Sequence, residues 1–92
     1  MVQSSGSISE IEAVMRTVSD LIREVSEKAR TKIIRPETLL LDDLALDSLD
    51  MVRVVMLIED RHGVCIDLDD VADMKTVGDV ARTLHREASA AA

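Results

Sequence analysis

The 92-residue chain has room for one small domain. Because it contains no Phe, Tyr or Trp, its core must be aliphatic, and recognition of a ligand by base stacking or by an aromatic cage is excluded. The net charge of -7 is concentrated in residues 42–73, where ten acidic residues stand against two arginines, and such a surface repels a phosphate backbone and argues against a nucleic-acid partner. The apolar runs are shorter than the roughly 20 residues of a membrane span, and the first residues MVQSSGS do not resemble a signal peptide. The single cysteine cannot form an internal disulfide. We therefore expect a cytoplasmic protein that does not enter a membrane.

A first helix is predicted over residues 8–29, after a disordered N-terminus at residues 1–7. Ser9 with Glu12, or Ser7 with Glu10, offers a capping box at its start. Apolar residues recur at steps of three and four and predict one core-facing stripe. They are Ile8, Ile11, Val14, Met15, Val18, Leu21, Ile22, Val25 and Ala29.

Residues 30–46 form a long connection that Pro36 prevents from being helical throughout. The segment is nevertheless rich in leucine, which favours an ordered loop pinned across the helices, with a short helical turn inside it. The leucines expected to be buried are Leu39, Leu40, Leu41, Leu44 and Leu46.

A second helix is predicted over residues 48–62. Asp47 and Asp50 have the spacing of a capping box, which places Ser48 on the first turn, facing outward. A phosphate attached to Ser48 would lie near the positive end of the helix dipole, beside unpaired backbone N–H groups. The four residues Asp47, Ser48, Leu49 and Asp50 alone are equally consistent with a serine that has only a structural role.

The second helix has two apolar arcs when its residues are placed at about 100° per residue. The core arc consists of Met51, Val54, Val55, Ile58 and His62. The other arc, which we call the docking stripe, consists of Leu49, Val52 and Met56 and is bordered by Arg53, Glu59 and Asp60. It is predicted to bind a partner, although Leu49 and Val52 could instead pack under the loop. Leu57 fits neither arc and is expected to be exposed.

The C-terminal part is predicted to contain two more helices. Gly63 ends the second helix, and an apolar crossing through Val64, Cys65, Ile66 and Leu68 leads to a short helix over residues 69–74. Thr76 and Asp79 form a capping box for a fourth helix that runs through about Arg86, and residues 89–92 are expected to be frayed. Its inward residues are Val77, Val80, Ala81 and Leu84. The fold class is therefore all-α, a small bundle of three main helices plus one short helix.

Two catalytic or metal-binding interpretations are weak. The sequence does not contain the GxSxG elbow of a serine hydrolase. His62 lies about 21 Å from Ser48 along the same helix at 1.5 Å per residue. The aspartates from Asp67 onward do not form an EF-hand loop, because the sixth and twelfth positions of that loop require glycine and glutamate and are Ala72 and Gly78. We therefore predict no catalytic residue and no metal site. Cys65 is expected to be a buried small hydrophobe.

The run LALDSLDMVRVVMLIEDRHGVCI resembles the signature of acyl carrier proteins, and the resemblance covers residues 8–88, with DSLD as its most specific part. It implies a non-catalytic monomeric carrier domain whose Ser48 receives 4′-phosphopantetheine from coenzyme A through a magnesium-dependent phosphopantetheinyl transferase. The thiol of that arm would carry an acyl or aminoacyl thioester. The implied partners are an acyltransferase, a ketosynthase or an adenylating or loading enzyme with a basic docking patch. The implied docking residues are Asp47, Leu49, Asp50, Val52, Met56, Glu59 and Asp60.

Departures from the typical pattern bear on the pathway. The motif is closer to acyl carriers than to peptidyl carriers, which usually show GG(H/D)S, whereas Arg53 and Arg61 replace acidic residues and His62 replaces an aromatic one. These differences favour a free-standing carrier in specialised, polyketide-type biosynthesis. A housekeeping fatty-acid carrier and an aminoacyl or peptidyl carrier are the alternatives within the family. An unmodified acidic helical interaction module is the alternative outside it.

Overall fold

The computed structural model describes the backbone of residues 6–91 and the side chains of residues 10–89. Four α-helices follow one another, α1 (Gly6–Val25), α2 (Ser48–His62), α3 (Leu68–Asp73) and α4 (Val77–Ala91), with a 3-10 turn at Lys28–Thr31. The only bridge of β type in this part of the chain joins Leu39 to Thr76, and it is isolated. The predicted all-α bundle of three main helices and one short one is confirmed. None of the described helices is long and apolar enough to cross a membrane.

Helix α1 begins and ends earlier than the sequence predicted. It begins at Gly6, so Ser7 and Ser9 lie within the helix, and their side chains, like that of Ile8, are outside the described residues. It ends at Val25 rather than at residue 29, and the chain then tightens into the 3-10 turn. Arg23 stabilises this turn because its guanidinium donates to the carbonyl oxygens of Ala29 (3.3 Å) and Lys32 (3.1 Å).

The core is wholly aliphatic and joins α1, the long loop, α2 and α4. Helix α1 packs along α4 and against α2. The largest side chains without solvent exposure are Ile22, Leu44, Ile58, Val18, Val54, Val77 and Val80. The predicted inward residues of α4 are all buried, which confirms that stripe, whereas Ile11 at the start of the α1 stripe is exposed.

The loop between α1 and α2 is ordered, as predicted, because its backbone completes the start of α4. The N–H groups of Val77 and Gly78 donate to the carbonyl oxygens of Thr38 (2.9 Å) and Pro36 (2.8 Å), and the Leu40 N–H donates to the Lys75 oxygen (3.0 Å). The first two bonds supply carbonyl partners to N–H groups that a helix start leaves unpaired. They also fix the loop on the bundle.

Only three of the five loop leucines are buried. Leu40, Leu44 and Leu46 enter the core, but Leu39 and Leu41 are 39% and 63% exposed, so the expectation that all five are buried was wrong. The turns at residues 41–44 cannot direct successive side chains to the same side of the backbone. The core therefore takes Leu40, Leu44 and Leu46 and leaves Leu39 and Leu41 at the surface.

Helix α2 has the predicted bounds, and Gly63 ends it in the left-handed conformation with φ of 63°. Met51, Val54, Val55 and Ile58 are buried, which confirms the core arc except at its last member. His62, the final residue of the helix, is exposed. Leu57, which we expected to be exposed, packs against the core with part of its surface.

The segment after Gly63 alternates between core and solvent. Val64 and Ile66 are buried, whereas Cys65 between them is exposed, so the prediction of a buried cysteine was wrong. Successive side chains of an extended chain point to opposite sides, which explains the alternation. Leu68, expected in the apolar crossing, is 72% exposed as the first residue of α3.

Helices α3 and α4 lie close to their predicted positions. Helix α3 spans Leu68–Asp73, one residue earlier at each end than predicted, and α4 continues to Ala91, beyond the predicted end near Arg86. The capping box of α4 is confirmed, because the Thr76 hydroxyl accepts from the Asp79 N–H and the Asp79 carboxylate accepts from the Thr76 N–H, each at 3.1 Å.

Candidate functional site

Ser48 is held in place by the turn that precedes α2. Leu44 and Leu46 anchor this turn in the core, and the Leu46 N–H donates to the Leu40 carbonyl at 2.9 Å. Ala45 between the two anchors has φ of 55°, a left-handed conformation that an L-residue adopts at some cost. The strained residue lets the chain reverse direction immediately before the helix, so that Ser48 emerges at a fixed point.

The capping box predicted for α2 is present. The Asp47 carboxylate accepts from the Asp50 N–H at 2.9 Å, and the Asp50 carboxylate accepts from the Asp47 N–H at 3.4 Å. Both carboxylates therefore serve the helix start. Ser48 is the first residue of α2 and is exposed, as predicted.

The start of α2 is chemically suited to a phosphodiester on Ser48. The first N–H groups of a helix have no intrahelical carbonyl partner, and only that of Asp50 is taken up by the Asp47 side chain. The remaining N–H groups and the helix dipole favour negative charge at this point. An exposed first-turn hydroxyl also gives a modifying enzyme free access.

Nothing near Ser48 in the described part of the chain resembles a hydrolase or a metal centre. His62 lies at the opposite end of the same unbroken helix, so it cannot act as a base for Ser48. No group of three or more His, Cys, Asp or Glu side chains in residues 10–89 is arranged to hold a metal ion. Asp70, one of the aspartates weighed for calcium, instead accepts from Arg86 at 3.0 Å.

A groove of about 630 Å³ opens beside Ser48, between the loop, α2 and α3. Its walls are mainly apolar and its rim carries charged side chains. The apolar walls include Leu46, Met51, Val52, Leu68, Val71 and Met74, and the rim includes Asp42, Asp47 and Lys75. An apolar chain attached near Ser48 could lie in this groove.

The docking stripe faces solvent. Leu49, Val52 and Met56 are 61%, 40% and 62% exposed, so Leu49 and Val52 are not covered by the loop. The exposed Leu41 and Leu68 also line the groove and extend the apolar surface around Ser48. Apolar patterning did not place either leucine at the surface, although each is adjacent to aspartate in the chain, a context more typical of a surface residue.

The two acidic residues that border the docking stripe differ in role. Asp60 is exposed, whereas Glu59 is half-buried and its carboxylate accepts from the Ile66 N–H at 2.9 Å. Glu59, which the sequence places at the border of the docking stripe, is therefore not a free surface charge. Its carboxylate joins α2 to the segment after Gly63.

Comparison with known proteins gives one consistent result. The family described as "Phosphopantetheine attachment site" matches residues 12–84. The meromycolate extension acyl carrier protein of Mycobacterium leprae is 36% identical over 75 residues, which are 82% of this chain and 64% of that protein. The chain thus spans less than two thirds of that relative's length.

Two further comparisons cover more of the matching protein. An acyl carrier protein of Acidothermus cellulolyticus is 41% identical over 68 residues, which are 74% of this chain and 80% of that one. A solved Mycobacterium tuberculosis structure, described as an acyl carrier protein, superposes with a TM-score of 0.65 at 28% identity and covers 84% of this chain and 96% of its own.

Proposed function

Because this chain belongs to the acyl carrier protein family, whose members are non-catalytic carriers with a phosphopantetheine attachment site, we propose that Ser48 is the residue that bears the arm. The carrier domain is assigned to residues 8–88, which contain the whole family match. The observation that carries this proposal is the position of Ser48, exposed at the first residue of α2, with the turn behind it anchored by buried Leu44 and Leu46.

The residues around Ser48 have distinct roles in this proposal. Asp47 and Asp50 hold the helix start, and through it the direction of the serine hydroxyl. A phosphopantetheinyl transferase moves the phosphopantetheine group of coenzyme A to that hydroxyl: the pyrophosphate bond of coenzyme A breaks, the Ser48 oxygen forms the new phosphodiester and loses its proton, and adenosine 3′,5′-bisphosphate leaves. The acyl group is then carried as a thioester on the thiol of the arm. A mobile arm raises the effective concentration of its cargo at each partner enzyme.

We further propose that the cargo is acyl and that the pathway is a specialised, polyketide-type assembly. The groove beside Ser48 supports an acyl cargo, since its mainly apolar walls would accept a hydrocarbon chain. The similarity to a carrier named for meromycolate extension supports a specialised role. Acyltransferases and ketosynthases are the corresponding partners.

The docking residues are proposed with one revision. Leu49, Val52, Met56 and Asp60 are exposed and can contact a partner directly. Asp47, Asp50 and Glu59 are already hydrogen-bonded within the chain, so they contribute mainly by fixing the surface.

The test of the attachment site is covalent loading. The purified protein is incubated with coenzyme A, magnesium and a broad-specificity phosphopantetheinyl transferase, and intact mass is measured. One arm should be added to the wild type and to Ser89→Ala, a control that removes another exposed helical serine, and none to Ser48→Ala. Loading of Ser48→Ala would place the arm elsewhere.

A further inference from the structure

Most acidic side chains of α2 and of its N-cap form hydrogen bonds within the chain. Asp47 and Asp50 cap the helix start, and Glu59 accepts from the Ile66 N–H. Among these acids, only Asp60 is exposed with no side-chain hydrogen bond or ion pair to another described residue. These hydrogen bonds leave the carboxylates charged but fix their positions, so Asp60 is the acidic side chain of α2 that is free to turn toward a partner.

The two arginines of α2 also differ. Arg61 forms a two-pronged ion pair with Glu24 of α1, at 2.5 and 2.7 Å, and this hydrogen bonding holds the pKa of Glu24 below its ordinary value. Arg53 is exposed and forms no ion pair with the residues that the structure describes. Of the two, only Arg53 has a guanidinium available to an external partner.

Arg53 borders the docking stripe. It is four residues after Leu49 and three before Met56, the spacings at which helical side chains are neighbours. Leu49 and Met56 are 61% and 62% exposed, and they are the most exposed apolar side chains of α2. A partner that covers both of them therefore brings its surface against the Arg53 side chain as well.

Burial of a guanidinium is costly unless the partner supplies an acceptor. An ionised group removed from water without a hydrogen-bonding counter-charge loses several kcal/mol. A carboxylate matches the planar fork of arginine with two hydrogen bonds. A partner with only basic side chains would leave Arg53 unpaired and repelled.

We propose that the acyltransferase that loads this carrier presents a carboxylate to Arg53 inside an apolar recess that covers Leu49 and Met56. This inference rests on the proposed function. Asp60 follows Arg53 by seven residues, about 10 Å along the helix at 1.5 Å per residue, and it receives a basic side chain of the same enzyme. The pair of opposite charges fixes how the enzyme is aligned along α2.

The test uses holo protein, with the arm verified by intact mass before each assay, and the purified acyltransferase of the native host. Rates of acyl transfer are compared for wild type, Arg53→Ala, Arg53→Lys and Arg53→Glu. Arg16→Glu is the matched control, because Arg16 is an exposed arginine on α1. Chemical denaturation establishes that each variant is folded.

Arg53→Ala should lower kcat/KM by about thirtyfold, the loss expected when one partner of a buried charge pair is removed. Arg53→Glu should lower it further, Arg53→Lys should lower it less, and Arg16→Glu should leave it unchanged. Reversal of one acidic residue of the enzyme to arginine should restore transfer to Arg53→Glu. An unchanged or faster rate for Arg53→Glu, as a purely basic docking site would give, overturns the inference. Failure of the wild type to take up the arm would instead contradict the proposed function.

Discussion

The position of Glu59 on the helical wheel predicts a surface residue, but its hydrogen bond gives it a structural role. Its carboxylate reaches past the turn at Gly63 to the Ile66 N–H. Helical periodicity describes one helix at a time, so it cannot reveal a bond between a helix and the segment that follows it. The neighbouring Asp60 has no such bond and behaves as the periodicity predicted.

This difference predicts opposite consequences for neighbouring charge reversals. Glu59→Lys should lower the free energy of unfolding by about 1 to 2 kcal/mol, because the buried Ile66 N–H loses a charged acceptor. Asp60→Lys should change it by less than about 0.5 kcal/mol, as an exposed substitution usually does. Urea denaturation of both variants measures the two values. Equal stability of the two would show that the Glu59 bond contributes nothing.

Gly78 is required by contact with the loop. A β-carbon at this position would lie 2.8 Å from the Pro36 carbonyl oxygen, a backbone atom that also accepts the Gly78 N–H. Alanine is favoured over glycine within a helix by about 1 kcal/mol, but that gain requires space. We expect Gly78→Ala to destabilise the protein by more than about 1 kcal/mol in chemical denaturation, since the loop must shift away from α4. A stabilised variant would mean that the loop moves away from the added β-carbon at little cost in free energy.

Helix α2 has two apolar faces with different roles. Val55 is 4% exposed and contributes to the core, whereas Val52, three residues earlier, is 40% exposed on the docking stripe. Val55→Ala should therefore cost about 1 to 3 kcal/mol through lost burial and a cavity, and Val52→Ala should cost clearly less. The midpoints and slopes of denaturant unfolding give both numbers. The reverse order would exchange the core and docking faces.

Helix α4 depends on a charged cap. The backbone N–H of Lys75 contributes most to holding the pKa of Asp79 below its ordinary value of 3.8, and the Thr76 N–H and the Arg82 guanidinium act in the same direction. A pKa lowered by folding stabilises the native state above the unfolded value, and this stabilisation is lost as the pH falls through the folded pKa.

Asp79→Asn should therefore be less stable than the wild type at pH 7, and the difference should shrink as the pH falls below about 4. Asparagine keeps the size of the side chain and one accepting oxygen but removes the charge. Free energies of unfolding measured across this pH range provide the test. A difference independent of pH would show that the ionisation of Asp79 does not stabilise the cap.

At the scale of the whole molecule, local signals predicted the architecture and the position of Ser48. The two capping boxes, Gly63 and the spacing of apolar residues depend on neighbours in the chain, and they located α2 and the start of α4. The sequence did not reveal which leucines of the loop are buried, or that Cys65 and Leu68 are exposed. Those outcomes depend on where the loop meets α4 and on how the extended segment alternates, which only the folded chain determines.

The same limit applies to the charge of the molecule. Clustered acidic residues predicted an acidic docking face, but the carboxylates of Asp47, Asp50 and Glu59 accept hydrogen bonds from backbone N–H groups of the same chain. Arg61 is likewise engaged with Glu24. The surface beside Ser48 combines exposed apolar side chains with the charges of Asp47 and Lys75. Along α2, Arg53 and Asp60 are the exposed charges that form no ion pair with another described residue. A count of charges along the sequence could not distinguish engaged groups from free ones.

The central claim is that this protein carries acyl groups on an arm at Ser48, and intact mass spectrometry of the protein from its native host tests it most directly. Purified with thioesters preserved, the protein should exceed its sequence mass by one phosphopantetheine arm plus an acyl group. Hydroxylamine should release the acyl group and leave the arm, and peptide mapping should place the arm on Ser48. A protein found only at its sequence mass, in cells with a competent transferase, would contradict the claim and favour an unmodified interaction module.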